Sequence, residues 1–535
     1  MSHSRASSLY SPISPLEIEQ LLQQRFKKDG FLTLSNLPHP SSFKDMDKAT
    51  ARIAHAIAKG EKIVLIGDYD VDGVVSTTLM KLFFEEIGVE LAWIIPNRFR
   101  DGYGLSPQII ERIRDFDLVI TVDNGIAAVE AASLCKRYGM DLIITDHHLL
   151  PPVLPQAYAI IDQKQPDCDF PHEEVCGAQI AWYLIASLNR ALKAHIDTKS
   201  YIGLVAIAII ADMMPLQHIN RAMVISGLKI LSQGAFPAIR AFMDRLDKSW
   251  LNAEDIGFQI APILNSAGRM DDAKWAVEFL LSRNSYDARV RLDRLVAFNE
   301  QRKETEQQIT EEATALVCEK DKVLVLAGKD WHEGVIGIVA ARVGRRYEKP
   351  TIVLTQSDKG DLKGSGRSFS ACNLFKITQG CRELLTKFGG HHAAIGLSLP
   401  LQNLASFREK LQQNYLLEAY DEVHQDPDIL GELSFSHIDF NLIAMMQQYE
   451  PFGQANARPK FITTNVLIED VVNMGKNAEH RRFSFSQDHQ TLQAVLFKTK
   501  ACFEIGSYVN IIYQVNENNF NGRSSIQLMI DKIVY

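Results

Sequence analysis

Short apolar runs alternate with amphipathic helical stretches from about residue 51 to residue 215. This alternation predicts a first α/β domain in which helices cover both faces of a parallel sheet. The runs are rich in β-branched residues and apolar throughout, as strands buried on both faces are. The predicted strands are Lys62–Ile66, Leu91–Ile95, Leu118–Val122, Leu142–Thr145 and Ala159–Ile161.

The pattern becomes helical over residues 216–321. From Ser285 to Lys320 it contains no Gly or Pro and many charged residues, which predicts one long helix. At 1.5 Å per residue, some 30 residues of such a helix span about 45 Å and could connect two domains. A charged surface helix without a connecting role is the alternative that this pattern leaves open.

Strands and helices alternate again over residues 322–416, with a helix expected at Val335–Tyr347, which predicts a second α/β domain. After Pro459 the apolar residues repeat with period two, and turn residues recur at short intervals, as in Asn516–Gly522. This pattern predicts a small antiparallel barrel or sandwich within residues 417–535. Residues 1–50 remain as an N-terminal extension.

Composition narrows the class of protein. The chain of 535 residues exceeds the roughly 250–300 residues of one hydrophobic core, so several domains are expected. Its net charge of −8 means that a polyanion would bind through a local basic surface or through bound cations. Seven cysteines without a Cys-x-x-Cys motif indicate neither a disulfide framework nor a zinc ribbon. No signal-peptide core or run of 18 apolar residues occurs, so we expect a cytoplasmic protein without membrane contact.

Three of the predicted strands are followed by acidic or imidazole side chains. Gly67–Gly73 follows the first strand, Asp123 the third, and Asp146–His148 the fourth. A single Asp at a strand end is usually a helix cap or a turn former. Repetition at the carboxyl ends of parallel strands, which converge on one crevice, instead indicates a common site. Its candidate members are Asp68, Asp70, Asp72, Asp123, His147 and His148.

The composition of this cluster predicts bound cations. Carboxylates crowded into one crevice repel each other and take up protons unless a cation neutralises them. Carboxylate and imidazole ligands without thiolate favour Mn²⁺ or Mg²⁺, and this many ligands suffice for two ions about 3.5–4 Å apart. Two-metal sites activate water and stabilise the leaving oxygen in phosphoester cleavage. We therefore expect hydrolytic attack on phosphorus.

Glycine-rich stretches with cations form a second candidate site. Lys363–Ser368 and Phe388–His392 combine small residues with Arg and His, and Asn265–Arg269 contains an Arg suited to bidentate phosphate contact. We expect the first two stretches to be loops whose amides and cations hold an anion. Glycine pairs also occur in ordinary turns, so that interpretation stays open.

Cations and aromatic residues are interleaved in the C-terminal region. Arg481 and Arg482 precede two phenylalanines on a predicted strand, and Phe497 is next to Lys498. Residues 458–535 carry nine Lys and Arg against seven Asp and Glu. This pattern is typical of barrels that bind single strands by stacking. Aromatic residues that fill a barrel interior would produce the same pattern.

The order of these motifs resembles the DHH phosphoesterase family. Asp-Tyr-Asp-Val-Asp-Gly at residues 68–73, Asp-Asn-Gly at 123–125 and Asp-His-His at 146–148 carry the resemblance, and Gly-Gly-His at 389–391 is similar to the family's associated C-terminal domain. Further motifs, up to Glu450–Gly453, are similar to the bacterial branch of single-strand-specific DNA exonucleases. The similarity begins near Ile63 and covers most of the chain.

The resemblance implies a 5′→3′ exonuclease for single-stranded DNA that depends on Mn²⁺ or Mg²⁺ and acts in recombination and repair. The implied α/β fold has a parallel-sheet DHH domain and a second α/β, DHH-associated domain joined to it by the long helix, followed by an all-β OB-fold. A helicase and a single-strand-binding protein are the implied partners of a chain that we expect to be monomeric.

The resemblance and the patterns above together assign the site residues. The expected metal ligands are Asp68, Asp70, Asp72, Asp123, His147 and Asp212. The expected catalytic residues are Asp70, Asp72, Asp123, His147, His148 and His391. The expected phosphate or DNA contacts are Arg98, Asn265, Arg269, Ser365, Arg367, His391, Arg481 and Arg482. Asp212 rests on the resemblance alone, and His392 beside His391 leaves the choice of functional imidazole open.

Two other function classes fit part of the pattern. DHH phosphodiesterases for short oligonucleotides or cyclic dinucleotides, and a related pyrophosphatase, share the first-domain motifs but lack the long connector and the barrel. A non-catalytic scaffold that binds single-stranded DNA would keep the fold and lose its ligands, whereas the ligand set is intact here.

Overall fold

Five short apolar strands form the parallel sheet of the first domain in this computed structural model. They are β1 (Ile63–Ile66), β2 (Ala92–Ile94), β3 (Leu118–Val122), β4 (Asp141–Thr145) and β5 (Ala159–Ile161). Their order is β2-β1-β3-β4-β5, and every neighbouring pair is parallel. Strands β1, β3 and β5 are buried along their whole length, as strands covered on both faces are. The predicted parallel sheet is confirmed.

The structure describes residues 10–27, 32–234, 236–356, 360–370, 372–417, 426, 428–475, 478–499, 501–520 and 523–534. Residues 1–9 and 28–31 of the predicted extension, and residues 521–522 of the predicted turn, lie outside this set. The chain divides into two compact units. They are Pro38–Asp212 with Lys229–His424, and Met1–Leu37 with Met213–Leu228 and Gln425–Tyr535. The finer domain boundaries stay a prediction.

Seventeen helices occur in the described residues. In chain order they are α1 (Pro15–Gln24), α2 (Met46–Lys59), α3 (Val71–Glu86), α4 (Pro107–Arg112), α5 (Val129–Tyr138), α6 (Gly177–Ala191), α7 (Ile202–Ala211), α8 (His218–Ser232), α9 (Pro237–Leu246), α10 (Ala253–Asp255), α11 (Ala261–Met270), α12 (Lys274–Leu280), α13 (Ser285–Ala315), α14 (Ile336–Tyr347), α15 (Leu374–Gln379), α16 (Leu404–Leu417) and α17 (Phe440–Gln447). One π-helical turn, Ile256–Ile260, precedes α11. The predicted helical character of residues 216–321 is confirmed.

Helix α13 is the predicted long helix and has 31 residues. Asn284 caps its start by accepting a hydrogen bond from the backbone N–H of Asp287. Its first part packs against α9, α11 and α12, and its later part against α14 and β6 (Leu324–Gly328). The buried carboxylate of Glu306 is held by Arg302 at 2.8 Å and by Arg342 of α14 at 2.6 Å. The helix therefore connects the helical region to the second α/β domain.

The second sheet contains β6, β7 (Thr351–Gln356), β8 (Asp361–Arg367), β9 (Lys387–His391) and β10 (Ala394–Pro400). Their order is β6-β7-β8-β10-β9, with only the β6–β7 pair parallel. Helix α14 lies between β6 and β7 in the chain, where the sequence predicts it. The prediction of a second α/β domain is confirmed.

The prediction that Lys363–Ser368 and Phe388–His392 are loops is wrong, because both stretches lie largely within strands β8 and β9. The two glycines of β8 are needed for packing. A β-carbon at Gly364 would lie 2.3 Å from Leu354 Cδ2, and one at Gly366 would lie 2.7 Å from Ile395 Cγ1. Side chains of neighbouring strands occupy the space that a larger residue would need.

The C-terminal strands close into a barrel. They are β11 (Ile429–Glu432), β12 (Lys460–Met474), β13 (His480–Gln487), β14 (Gln490–Leu496), β15 (Tyr508–Phe520) and β16 (Arg523–Val534). Strand β12 pairs with both β13 and β15, which closes a ring of five strands. The arrangement is consistent with the expected OB-fold and not with a sandwich. The β14–β16 pair and the added β11–β12 pair are parallel, which the predicted alternation did not indicate.

The N-terminal helix belongs to the barrel unit. Ile18, Leu22 and Phe26 are buried in the same apolar core as Phe435 and the barrel residues. Ser14 caps α1 in a reciprocal capping box with Glu17. The first part of the predicted N-terminal extension, which includes α1, therefore contributes to the core of the C-terminal domain, whereas residues from Pro38 onward belong to the other unit.

Two further findings bear on the class of protein. All seven cysteines are free thiols. No single helix of the described residues is long and apolar enough to cross a membrane, although α8 and α9 taken as a bent pair meet that criterion by length and composition.

Candidate metal centre and anion cavity

Four elements of the first domain bring acidic or imidazole side chains to one place. Asp68 follows β1, and Asp70 caps α3 by accepting a hydrogen bond from the backbone N–H of Gly73 at 3.1 Å. Asp123 follows β3, and His147 follows β4. The carboxyl ends of parallel strands meet at one edge of the sheet, so the topology delivers these residues together.

The ligand atoms form three overlapping groups, within each of which the atoms lie at most 4.8 Å apart. The groups are Asp68, Asp70 and Asp123; Asp72, His147 and Asp212; and Asp123, His147 and His148. The Nε2 atom of His147 lies 3.1 Å from Asp123 Oδ1 and 3.7 Å from a carboxylate oxygen of each of Asp72 and Asp212. All six predicted metal ligands are therefore brought together.

Two backbone features fix the central carboxylates. Asp123 has a φ of 62°, in the left-handed region that Asp tolerates better than most residues. A β-carbon at Gly177 would lie 2.6 Å from the β-carbon of Asp123, so the start of α6 needs glycine there. Asp72 accepts hydrogen bonds from the backbone N–H groups of Gly177 at 2.6 Å and Ala178 at 2.8 Å. The start of α6 thus holds both carboxylates in place.

The pKa values of the carboxyl groups reflect crowding in a buried site. Burial, reinforced by Asp70, raises the pKa of Asp72 to about 6. Burial, reinforced by Asp72, raises the pKa of Asp212 to about 9. Burial and neighbouring carboxylates also place the pKa values of Asp68 and Asp123 well above the usual range. Without a cation, the site therefore retains protons at neutral pH.

The residues present fit divalent cations. Asp68 Oδ1, Asp123 Oδ1 and Asp212 Oδ2 are buried and accept no hydrogen bond from the part of the chain that the structure describes. Burial, with a further contribution from His148, lowers the pKa of His147 to about 3, so its imidazole is neutral and can act as a ligand. Hard oxygen donors with one imidazole match the preferences of Mn²⁺ and Mg²⁺.

Asp146 is a functional residue to which sequence analysis assigned no role. Its carboxylate accepts hydrogen bonds from the backbone N–H groups of Ile126 and His147, both at 2.8 Å, and lies 2.6 Å from His148 Nδ1. Burial acts to lower the pKa of His148, but the bond to Asp146 outweighs it and raises this pKa to about 9. Asp146 therefore keeps the His148 imidazole protonated and oriented. Asp146 is part of the Asp-His-His motif, but only its hydrogen bonds in the structure show that its role differs from that of the metal ligands.

The retained protons predict a pH dependence of stability in the metal-free protein. Between pH 7 and 9, Asp212 and His148 hold protons that they lose on unfolding, because their folded pKa values of about 9 exceed the ordinary values of 3.8 and 6.5. The free energy of unfolding therefore falls as the pH rises through this window. We expect a lower melting temperature at pH 9 than at pH 7, and a larger increase on adding Mg²⁺ at pH 9.

Thermal unfolding at both pH values, with and without Mg²⁺, measures this effect. Asp212→Asn serves as the control, because its uncharged amide resembles the protonated acid and should reduce the pH slope. A metal-free melting temperature that rises from pH 7 to pH 9 would contradict the prediction.

A cavity of about 340 Å³ contains four of the eight predicted phosphate or DNA contacts. Arg98, Arg269, Ser365 and Arg367 all line it. The guanidinium carbon of Arg98 lies 4.1 Å from the centre of the Tyr69 ring, and Tyr69 stands between Asp68 and Asp70 in the chain. The turn that carries two metal ligands therefore also supports one wall of the cavity.

The cations of this cavity are crowded. Burial, with repulsion from Arg98 and Arg367, lowers the pKa of Arg269 to about 10. Its Nη1 atom donates to the backbone carbonyl of Gly334 at 3.1 Å. Three half-buried guanidinium groups that line one cavity favour a bound anion that neutralises them.

Four predicted contacts do not line this cavity. Asn265 lies one helical turn before Arg269 on α11, and His391 is exposed at the end of β9 beside His392. Neither histidine of this pair belongs to the groups of ligand atoms. Arg481 is 8% exposed and donates to the carbonyls of Ala478 and His480. The fourth, Arg482, is exposed on β13.

The aromatic residues of the barrel divide between core and surface. Phe483 and Phe485 are buried, with ring centres 4.9 Å apart, so the alternation on β13 fills the barrel interior. Phe497 is 50% exposed and its ring centre lies 5.0 Å from that of His480. The accessible surface for stacking is therefore smaller than the sequence pattern indicates.

Comparisons with known proteins agree with this architecture. Residues 62–209 match the family model described as DHH family, N-terminal domain, residues 320–415 match the DHHA1 domain, and residues 429–532 match the RecJ OB domain. A crystal structure of RecJ in complex with Mn²⁺ from Thermus thermophilus superposes with a TM-score of 0.83 at 23% identity, covering 98% of this chain and 79% of that one. The likeness supports the same fold.

Curated relatives are similar over nearly the whole chain. The single-stranded-DNA-specific exonuclease RecJ of Bacillus subtilis is 35% identical to this chain. The match covers 92% of this chain and 63% of the length of the relative. The protein of the same name from Salmonella typhimurium is 31% identical, and the match covers 97% of this chain and 96% of the relative. With matches to all three domain models and 31% identity to a relative that it covers almost completely, the chain belongs to the RecJ family.

Proposed function

We propose that this chain is a metal-dependent exonuclease that hydrolyses phosphodiester bonds of single-stranded DNA from the 5′ end. The observation that carries this proposal is the shared turn at residues 68–70. It contributes ligands to the metal centre on one side and supports Arg98 of the anion cavity on the other. A strand end held in the cavity would place a nearby phosphodiester at the metal centre.

The metal centre carries the hydrolysis. Divalent cations, when bound at this site, would supply an activated water and stabilise the leaving oxygen. Mn²⁺ or Mg²⁺, as two ions, would be held by the six residues Asp68, Asp70, Asp72, Asp123, His147 and Asp212. His148, kept protonated by Asp146, donates a hydrogen bond to a phosphate oxygen from its Nε2 atom.

The anion cavity sets the polarity. Arg98, Arg269, Ser365 and Arg367 bind the terminal 5′-phosphate through charge-assisted hydrogen bonds. Anchoring the end next to the metal centre makes the reaction exonucleolytic, since every cleavage creates a new 5′-phosphate for the same cavity. Asn265 and His391, which lie near the cavity residues in sequence, contact the phosphates of the following nucleotides.

The barrel holds the strand that enters the site. The exposed side chains of Arg482 and Phe497 offer a cation and a stacking surface, the combination by which OB-folds bind single strands. We infer that duplex is excluded because only a single strand enters between the two α/β domains. The enzyme acts as a cytoplasmic monomer in recombination and repair, supplied with single strands by a helicase and in contact with a single-strand-binding protein.

The test is nucleotide release from DNA labelled at either end. Wild-type protein with Mn²⁺ is given a long single strand, the blunt duplex of the same sequence, and a dinucleotide, with metal-free reactions in parallel. We expect rapid loss of the single strand from its 5′ end, little loss of duplex, and no reaction without metal. Preference for the dinucleotide would favour a phosphodiesterase for short substrates. Binding without cleavage would favour a scaffold.

A further inference from the structure

The anion cavity is not uniformly cationic. Arg98, Arg269, Lys363 and Arg367 line it, and among the described lining residues Glu333 is the only acid. A carboxylate in a site that binds phosphate weakens binding through like-charge repulsion. Phosphate binding alone does not explain why Glu333 lies in this cavity.

Glu333 is held in a defined position. Both of its carboxylate oxygens lie 3.0 Å from Lys363 Nζ. The next residue, Gly334, is pressed against α11, because a β-carbon there would lie 2.0 Å from the Arg269 carbonyl oxygen. The Glu333 side chain is 30% exposed, so a ligand in the cavity can reach it.

The charges are arranged along one strand. Lys363, Ser365 and Arg367 alternate on β8, so their side chains lie on the same face. At about 3.3 Å per residue, Lys363 and Arg367 are about 13 Å apart along the strand. Arg367, with Arg98 and Arg269, makes one part of the cavity strongly positive. The Glu333–Lys363 pair at the Lys363 end carries no net charge.

We propose that Glu333 is a specificity-determining residue that restricts the cavity to a terminal monophosphate and disfavours strands that begin with a di- or triphosphate. The first phosphate is neutralised by the three guanidinium groups. Additional phosphates extend toward Glu333, whose carboxylate repels them. Strand ends left by nicking or by a previous cleavage are monophosphates, whereas newly initiated chains begin with a triphosphate. This inference rests on the proposed binding of a 5′-phosphate in the cavity.

The first test compares one 3′-labelled strand bearing a 5′-monophosphate or a 5′-triphosphate. The readout is the ratio of kcat/KM for the triphosphate strand to that for the monophosphate strand. We expect wild-type protein to prefer the monophosphate by at least about tenfold and Glu333→Gln to raise the ratio by about tenfold, the effect of removing about 1.4 kcal/mol of repulsion. Equal rates for the two strands with wild-type protein would overturn the proposal.

Lys363→Gln is the matched control. If Glu333 only positions Lys363, the two variants lose the same contact and shift the ratio in the same direction. If Glu333 repels added phosphates, the variants shift it in opposite directions, because one removes a negative and the other a positive charge. A shift in the same direction overturns the proposal.

A binding measurement separates this proposal from the exonuclease activity. Calorimetry without divalent cations compares inorganic phosphate with tripolyphosphate on wild-type protein, Glu333→Gln and Lys363→Gln. We expect the affinity ratio of tripolyphosphate to phosphate to rise about tenfold in Glu333→Gln and to fall in Lys363→Gln. This result supports the selectivity even if no strand is cleaved, an outcome that would contradict only the proposed function. An unchanged ratio in Glu333→Gln overturns the selectivity even if strands are cleaved.

Discussion

Replacing Asp123 with Asn is expected to reduce strand cleavage by about a thousandfold while the protein still folds. Asp123 is 1% exposed and belongs to two of the groups of ligand atoms. Metal sites of this kind contribute several kcal/mol of transition-state stabilisation, and about 1.4 kcal/mol corresponds to a factor of ten in rate. Asn has the shape of Asp and readily adopts the left-handed conformation at φ 62°. The substitution therefore removes charge and little else.

Thermal unfolding shows whether the variant has lost a ligand or its fold. In the wild-type protein, burial and Asp72 disfavour the charged form of Asp123. The uncharged amide resembles the protonated acid that this environment favours, so we expect a metal-free melting temperature at least equal to that of wild type. The increase on adding Mg²⁺ should be smaller. Asp115→Asn, at an exposed position of the same domain, is the control and should match wild type in both assays. Cleavage within tenfold of wild type would contradict the assignment.

The sequence predicts those metal ligands that directly follow a β-strand. Asp68, Asp123 and His147 each follow a strand whose apolar residues are readable in the chain, and parallel strands bring them to one edge. Asp212 follows α7, which is apolar all round, so no local pattern marks the residue as a ligand. Only the resemblance to a family indicated it. Asp146 was not assigned because its role depends on its hydrogen bond to His148, which spacing does not reveal.

The conformation of the glycine-rich stretch in the second domain could not be predicted from the sequence. Glycines at 364 and 366 predicted a loop, because glycine most often marks a turn. In the structure they lie in β8, where they leave space for side chains of β7 and β10. The polar residues between and beside them, Ser365 and Arg367, line the anion cavity, and their role as phosphate contacts stays a prediction. Composition thus indicated the chemistry, while packing between distant strands determined the conformation.

The packing of the N-terminal helix could not be predicted from its own sequence either. Helix α1 has readable signals, including the Ser14 cap and a proline at its first position. Those signals determine where a helix starts but not which core receives its apolar face. That choice depends on residues more than four hundred positions away, such as Tyr449, whose ring stacks with that of Phe26, and Phe435 of the same core.

Arg367→Gln is expected to weaken the use of 5′-phosphorylated strands by ten- to a hundredfold, mainly through KM. Arg367 lines the anion cavity and its Nη1 atom donates to Ser365 Oγ at 3.0 Å and to the Gly366 carbonyl at 2.8 Å, which aims the guanidinium. Hydrogen bonds to charged groups contribute about 1.5–3 kcal/mol, which sets the size of the effect. The metal ligands are untouched, so kcat should change much less than KM.

Comparing 5′-phosphorylated with 5′-hydroxyl strands tests whether Arg367 binds the terminal phosphate or an internal one. If Arg367 binds the terminal phosphate, the variant loses its preference for phosphorylated ends, and its KM for hydroxyl ends changes little. Arg345→Gln, which removes an exposed arginine from the last turn of α14 in the same domain, should retain both the KM and the preference. An Arg367→Gln protein that still prefers phosphorylated ends as strongly as wild type would place the 5′-phosphate elsewhere. The cavity would then contact the strand at internal phosphates, and polarity would have to arise from the path of the strand instead of from capture of its end.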